Sequence, residues 1–271
     1  MSFFRTSRPR VVCLHSSGAS SRQWQPLAER LGDGWRVLSP DLHGHATAPA
    51  WSGAAVDIVE ADVARTMRVA LADGPAHLVG HSYGGAVALT IALRHPEFVQ
   101  SVTVYEPVLF RLLRDFAPLS REAREAAGVG ADVRRALAGG LPGLAAQRFV
   151  DYWSGGGSFA SLGSSQREAI VRRMPAIGAH FASLWDHAAT LRDFARVAAP
   201  VTLILGTRTR TATRRITELL RSVWPHATFR PMTALGHLGP ITHPNTIAQR
   251  IAADLRRCEH ALASERPAIA A

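Results

Sequence analysis

The stretch "HLVGHSYGGAVAL" sets a serine between glycines, Gly80-His81-Ser82-Tyr83-Gly84, with a strand-like apolar run before it and a helix-like run after it. The G-x-S-x-G pattern matters here for its context. A strand passing into a helix through a sharp turn holds the serine in a strained conformation that only small neighbours two residues either side permit. The Ser82 hydroxyl then projects from the carboxyl end of the strand, and the amide of Tyr83, at the helix N-terminus, points at the reacting atom. The same letters could also form an ordinary glycine-serine turn. A serine hydroxyl is a poor nucleophile near neutral pH, so the chemistry needs a base to take and return its proton and a third group to orient that base.

Six short runs rich in β-branched and aliphatic residues could position such groups: Val11 to His15, Arg36 to Pro40, His77 to His81, Ser101 to Tyr105, Val201 to Leu205 and Ala227 to Pro231. Five are nearly continuous in apolar residues, as strands covered on both faces require; "ATFRPM" is the weak one. Segments of helical periodicity such as "GGAVALTIALRHP" and "RRITELLRSVWP" lie between most of them. The expected fold class is therefore α/β, a doubly wound, mainly parallel sheet of about six strands. The alternation breaks once, between Glu106 and about Pro200, where "PLSREAREAA", "GLAAQRFVDYW", "REAIVRRMPAI" and "HFASLWDHAATLRDFARV" read as helices separated by glycines in "GVG", "AGGLPG" and "SGGGS". This predicts a core domain built from 1–106 and 200–271, with 107–199 inserted as a helical cap or lid over the strand ends. The final "ASERPAIAA" is expected to fray.

With these elements in this order, the chain resembles the α/β-hydrolase family over nearly its whole length. "VVCLHSSGASSRQWQPLAERL" is similar to the family's first-strand loop, with Ser16 where a glycine is usual, and the resemblance implies that the amides of Ser17 and Tyr83 form an oxyanion hole. "VLSPDLHGHA" is similar to the family's Asp-x-x-Gly-x-Gly loop: Asp41 and Gly44 are in place, His45 replaces the second glycine, and Asp41 is expected to fix the loop. The antiparallel hairpin with which the family often begins is expected to be missing or vestigial in "MSFFRTSRPR".

The resemblance also implies that the base is a histidine on the loop after the last strand, and "MTALGHLGPITHP" offers His237, with His243 as the competitor. The acid is the anomaly. Family members most often carry an aspartate shortly after the fifth strand, and in "VTLILGTRTRTATRRI" that position is Thr209, which cannot act as an anion. Glu218 is expected to lie too far along the following helix. Glu106, in "SVTVYEPVLF", stands at the carboxyl end of the fourth strand, where the functional loops of a parallel sheet gather. Some family members carry their acid there, and Pro107 would stiffen the turn. Glu106 is the expected acid; the alternative is that it caps a loop or pairs with an arginine such as Arg111, and Asp186 and Asp193 are more distant choices.

An aromatic group in the insertion, Tyr152, Trp153, Phe159, Phe181 and Trp185, could line an apolar acyl or aryl pocket, together with His81, or could be the insertion's own small core. The expected reaction is hydrolysis of a carboxylic ester or lactone through an acyl-enzyme; thioester or carbon-carbon hydrolysis would use the same residues, and a non-catalytic binding or receptor protein on the same fold is the competing class. Ser82 argues against dehalogenation and epoxide opening, which need an aspartate nucleophile.

Composition narrows the partners. The chain of 271 residues is 47% hydrophobic and can bury a sizeable core, but it has no run of about 20 apolar residues and no signal-peptide pattern in its first ten, so a cytoplasmic location is expected. Its formal charge is +10, yet it contains no lysine; 31 arginines spread along the chain resemble a codon bias more than a nucleic-acid surface, and the cluster Arg208, Arg210, Arg214, Arg215 and Arg221 reads as a solvated helix face. Cys13 and Cys258 are expected to be free thiols, without a metal or cofactor. The expected partner is a small-molecule ester or lactone, with neither nucleic acid nor membrane, and a homodimer stays open.

Overall fold

Six strands, β1 (Arg10–Leu14), β2 (Arg36–Leu38), β3 (Ala76–His81), β4 (Val99–Tyr105), β5 (Val201–Gly206) and β6 (Thr228–Met232), form one sheet in the order β2-β1-β3-β4-β5-β6 in a computed structural model that describes residues 8–265. Every pairing is parallel. The strands fall where the apolar runs predict, and burial explains the weak one. Both β3 and β5 are buried throughout, whereas β6 is an edge strand, only partly buried and able to carry Pro231.

Eleven α-helices accompany the strands: α1 (Gln25–Leu31), α2 (Ile58–Thr66), α3 (Tyr83–Arg94), α4 (Phe110–Phe116), α5 (Arg121–Ala138), α6 (Pro142–Ser154), α7 (Ser164–Trp185), α8 (Leu191–Phe194), α9 (Thr211–Val223), α10 (Gly239–Thr242) and α11 (Pro244–Glu265). Alternate strand side chains feed opposite faces. Val11, Cys13, Val79, Tyr105 and Ile204 pack with Leu27 of α1 and Ile251 and Leu255 of α11, while Val12, Leu14, Leu78 and Val104 join the larger cluster on the other face.

Between β4 and β5 the described residues form only helices, α4 to α8. Two details of that segment differ from expectation. "GVG" does not separate helices: Gly128 and Gly130 lie inside α5, and an added Cβ on Gly130 would come 3.3 Å from the Phe181 ring, so the glycine serves a close helix contact. "REAIVRRMPAI", with Pro175 inside it, and the first part of "HFASLWDHAATLRDFARV" form one helix, α7, and the second pattern breaks after Trp185 before α8. At the chain ends, the expected loss of an amino-terminal hairpin falls on residues 1–7, outside the described residues. Of the tail expected to fray, 263–265 continue α11 and 266–271 lie outside the described residues. Cys13 is buried and Cys258 half-buried, both free. Among the described residues no helix is long and apolar enough to cross a membrane.

Candidate active site

Ser82 sits between β3 and α3 with φ 55 and ψ −117, in the left-handed region that an L residue adopts only when its surroundings enforce it. Here they do. The Ser82 amide donates to Tyr105 O at 3.0 Å, and its carbonyl accepts from Ala86 at 3.1 Å and Val108 at 3.2 Å. A Cβ on Gly80 would fall 2.5 Å from the Gly84 carbonyl oxygen, and one on Gly84 would overlap the carbonyl oxygens of Leu14 and His15 in and after β1. The glycines are required by close approach of backbones. Gly84→Ala is therefore expected to cost about 2 kcal/mol or more, read as a fall in Tm of about 5 °C or more in a thermal melt.

Strand register brings Ser82 its neighbours. His81 is paired with Tyr105, so the next residues, Ser82 and Glu106, leave adjacent strands at the same level. His237 comes from the loop between β6 and α10 and bridges them: Nε2 lies 2.9 Å from Ser82 Oγ and Nδ1 lies 2.8 Å from Glu106 Oε2. A carboxylate only accepts, so the Nδ1 proton is donated to Glu106 and Nε2 is left to accept from the Ser82 hydroxyl. The loop carrying His237 is tied down on both sides. Tyr105 donates its hydroxyl to Gly236 O at 2.7 Å, and His81 Nε2 donates to His237 O at 2.8 Å. Trp153 stacks on the imidazole, with ring centroids 3.8 Å apart and planes inclined by 22°.

Glu106 is fully buried and, like Ser82, has a positive φ, 46. Its Oε1 accepts from the Gly206 amide at 2.8 Å, and its Oε2 accepts from the Thr209 hydroxyl as well as from His237. Three donors from two chain segments, the end of β5 with its loop and the loop carrying His237, thus compensate the buried carboxylate. The alternative partner of Glu106 is occupied elsewhere, since Arg111 pairs with Asp115 at 2.6 Å. The remaining acidic candidates are also engaged away from His237: Glu218 with Arg215, Asp186 with Arg114, and Asp193 with Thr190 at the start of α8. His243 is exposed and bonds to Thr242 Oγ1.

The turn after β1 faces this group. Gln23 Oε1 accepts from the Ser16 amide at 3.2 Å and from its hydroxyl at 3.0 Å, the Gly18 amide donates to His45 Nε2 at 3.2 Å, and Ser17 Oγ pairs with His180 Nδ1 at 2.8 Å. Burial holds His15, His45 and His180 below the usual histidine range, His15 to about 4 and His45 to about 3, so these rings are neutral supports. Asp41 fixes the neighbouring loop: burial alone would raise its pKa, but donors from Ser21 and Thr47 hold it down at about 2. The stability this carboxylate contributes is present above its ordinary value and is lost as pH falls through about 2.

This arrangement of strands and helices has counterparts among known proteins. A family model described as the alpha/beta hydrolase fold matches residues 9–244. The chain belongs to the α/β-hydrolase fold family. Over 102 residues this hydrolase-fold chain is 34% identical to Lipase LipV of Mycobacterium tuberculosis, a match spanning 37% of the chain and only 38% of LipV. Over 251 residues it is 25% identical to the pimeloyl-(acyl-carrier protein) methyl ester esterase of Salmonella heidelberg, covering 89% of the chain and 91% of that protein. A thermophilic esterase from Thermogutta terrifontis superposes with a TM-score of 0.70 at 19% identity, over 92% of this chain and 90% of that one; the likeness is one of fold.

Beside Ser82 the hydrolase fold opens a cleft of about 570 Å³ between the β1 turn, the loop after His237, and helices α6 and α7. Of the aromatic residues expected there, Trp153 lines it. Phe181 reaches only a recess of about 10 Å³ between Ser82 and Ser17, and otherwise stacks on Phe110. His81, Tyr152 and Trp185 do not line the cleft. His81 ends β3 on the same face as Val79 and lies edge-on to Tyr105. Tyr152 is turned about 100° from Trp153 around α6 and carries the Arg210 guanidinium 4.5 Å from its ring centre. Trp185 ends α7 and packs against the larger core. Phe159 likewise packs there, so the aromatic group divides between pocket and core. Residues not singled out in the sequence complete the wall, among them Gln23, Phe149, Ile170 and Arg173. Phe149 had a readable signal, since it lies four residues before Trp153 on the same helix face.

Proposed function

We propose that this chain is a serine hydrolase that cleaves a carboxylic ester or lactone through an acyl-enzyme. The observation that carries the reading is the continuous path Ser82 Oγ, His237 Nε2, His237 Nδ1, Glu106 Oε2, with links of 2.9 and 2.8 Å. Ser82 Oγ attacks the substrate carbonyl while Nε2 takes its proton, and the imidazolium so formed is stabilised by Glu106. The carbonyl oxygen becomes an oxyanion, for which the Tyr83 amide is available because the first amides of a helix have no partner within it. Ser17, across the cleft on the β1 turn, supplies the second amide. The imidazolium returns its proton to the leaving alcohol, and water attacks the acyl-enzyme by the same steps in reverse order.

Helices α4 to α8, residues 107–199, act in this reading as a cap on a core built from the rest of the sheet. Trp153 shields the imidazole from bulk water, so that the Glu106 charge acts across a less polar medium. The names of the lipase and methyl ester esterase relatives agree with ester cleavage. A cytoplasmic location fits the two free thiols.

The test is covalent. Incubation with a fluorophosphonate is expected to add one phosphonyl group to Ser82, detected by intact mass and peptide mapping, and not to the heat-unfolded chain. A folded protein that forms no adduct would place it among non-catalytic members of the fold.

A further inference from the structure

We infer that the ester this cleft takes carries a carboxylate close to the scissile carbonyl, bound by Arg173. The inference rests on the ester-hydrolase reading for the reaction and on charge and geometry for the anion. The cleft is walled mostly by apolar side chains, and among the described residues its lining contains two arginines, Arg22 and Arg173, but no aspartate or glutamate. Arg22 is exposed at the rim; Arg173 is half-buried on α7.

Unlike several other half-buried arginines, Arg173 has no carboxylate within ion-pair distance among the described residues. Arg10 reaches Asp73, Arg111 reaches Asp115, Arg210 reaches Glu125 and Arg230 reaches Asp254. Asp41, whose charge acts on Arg173 from a distance, has both oxygens already taken by Ser21 and Thr47. Among the described residues Arg173 makes one hydrogen bond, from Nη1 to the Gly18 carbonyl oxygen. A guanidinium has five N–H donors in a fixed planar fork, so most of its donors remain for a ligand. Burial lowers its pKa, which says that its charge is under-solvated where it stands. An oxyanion offered to that fork would gain both the charge and paired hydrogen bonds.

Position limits the length of the substrate arm. Gly18 directly follows Ser17, whose amide is assigned to the oxyanion, and consecutive Cα atoms are about 3.8 Å apart. The arginine that grips Gly18 therefore sits a short step from the reacting carbonyl, and the arm carrying the anion must be short.

The experiment compares p-nitrophenyl half-esters of succinic, glutaric and adipic acids with p-nitrophenyl esters of neutral acids of equal length; carboxymethyl esters of the neutral acids form a second arm with the charge on the alcohol side. The charged compounds of one arm are expected to have kcat/KM about ten-fold or more above their neutral counterparts, as hydrogen bonds to a charged group allow. Arg173→Gln removes the charge, and the rates on neutral esters report any loosening of the β1 turn caused by its shorter side chain. The variant is expected to lower the charged-to-neutral ratio by about ten-fold. No charge preference in either arm, or an equal loss on charged and neutral esters in the variant, would overturn the inference, since Arg173 would then only brace the β1 turn. Binding separates this from failure of the hydrolase reading. In Ser82→Ala protein, calorimetry is expected to show monomethyl glutarate or carboxymethyl butyrate binding more tightly than methyl butyrate, with the advantage lost in the added Arg173→Gln background. If no ester turns over but this difference stands, the anion site survives and the catalytic reading falls; if neither charged ester binds more tightly, the anion site falls.

Discussion

Ser82→Ala is expected to lower kcat on an activated ester by about a million-fold while leaving the chain folded. The loss is large because the proton transfers to and from His237 have no purpose without the hydroxyl that sits 2.9 Å from Nε2. What remains is the work of the oxyanion amides and of binding, about 10³ to 10⁴ over water in a well-studied serine protease. The fold should survive for a local reason: the bonds holding the elbow, from Ser82 N to Tyr105 O and from Ala86 and Val108 to Ser82 O, are all made by backbone atoms. The φ of 55 is imposed by those bonds and by the glycines, and alanine meets the same conditions. Single-turnover kinetics with a p-nitrophenyl ester and a thermal melt measure the two halves of this prediction. Retained turnover would transfer the nucleophile to another hydroxyl on the cleft wall, such as Ser154.

Much of this site can be read from the residues, because much of it is written in short-range pattern. The elbow is five consecutive residues, and the crowding that demands Gly80 and Gly84 involves only the turn and the strand beside it. Glu106 is legible for a topological reason: β3 and β4 are neighbours in parallel register, so a carboxylate one residue past β4 arrives level with Ser82. The wall of the cleft is less legible because it depends on which face of each inserted helix turns inward. Tyr152 and Trp153 are adjacent in sequence, yet one lines the cleft and the other lies behind it under Arg210. Pro175 interrupts neither the helical pattern nor the helix: it is interior to α7, since tertiary packing of the flanking turns overrides the local cost. Arg173 gives no local signal at all: what marks it is a half-buried place in the cleft wall with no carboxylate within ion-pair distance among the described residues, a property of three dimensions.

Glu106→Gln is expected to lower kcat by about 10³ to 10⁴, the scale on which replacing a triad carboxylate with its amide acts. Glutamine keeps the size but offers one acceptor oxygen and an NH2 group to a site that presents three donors: the Gly206 amide, the Thr209 hydroxyl and His237 Nδ1–H. If the NH2 takes the place of Oε2 it faces Thr209 and His237, and His237 turns or takes the wrong tautomer; if it takes the place of Oε1 it faces the Gly206 amide, and in either case the imidazolium loses its counter-charge. A buried donor left without a partner costs about 1 to 3 kcal/mol, so a modest fall in Tm accompanies the kinetic loss. Full activity in this variant would remove Glu106 from the mechanism.

The same geometry predicts that the acid can be moved back across the sheet. Thr209 occupies the position where an aspartate is usual, and its hydroxyl already touches Oε2, the oxygen of Glu106 that holds His237. A carboxylate at 209 would therefore reach the neighbourhood of Nδ1 once the Glu106 side chain is cut away. Glu106→Ala combined with Thr209→Asp is expected to regain at least about ten-fold in kcat over Glu106→Ala alone, a fraction of the loss because the new carboxylate lacks the Gly206 amide as an orienting donor. Thr209→Asp by itself should do the opposite. It replaces a donor to Glu106 with a second buried carboxylate beside it, and two like charges in one site cannot both stay ionised without cost. Activity measured across these three variants is thus expected to rank Thr209→Asp below the unaltered chain and the double variant above Glu106→Ala. A double variant no better than Glu106→Ala would show that the loop after β5 can assist an acid on β4 but cannot carry one.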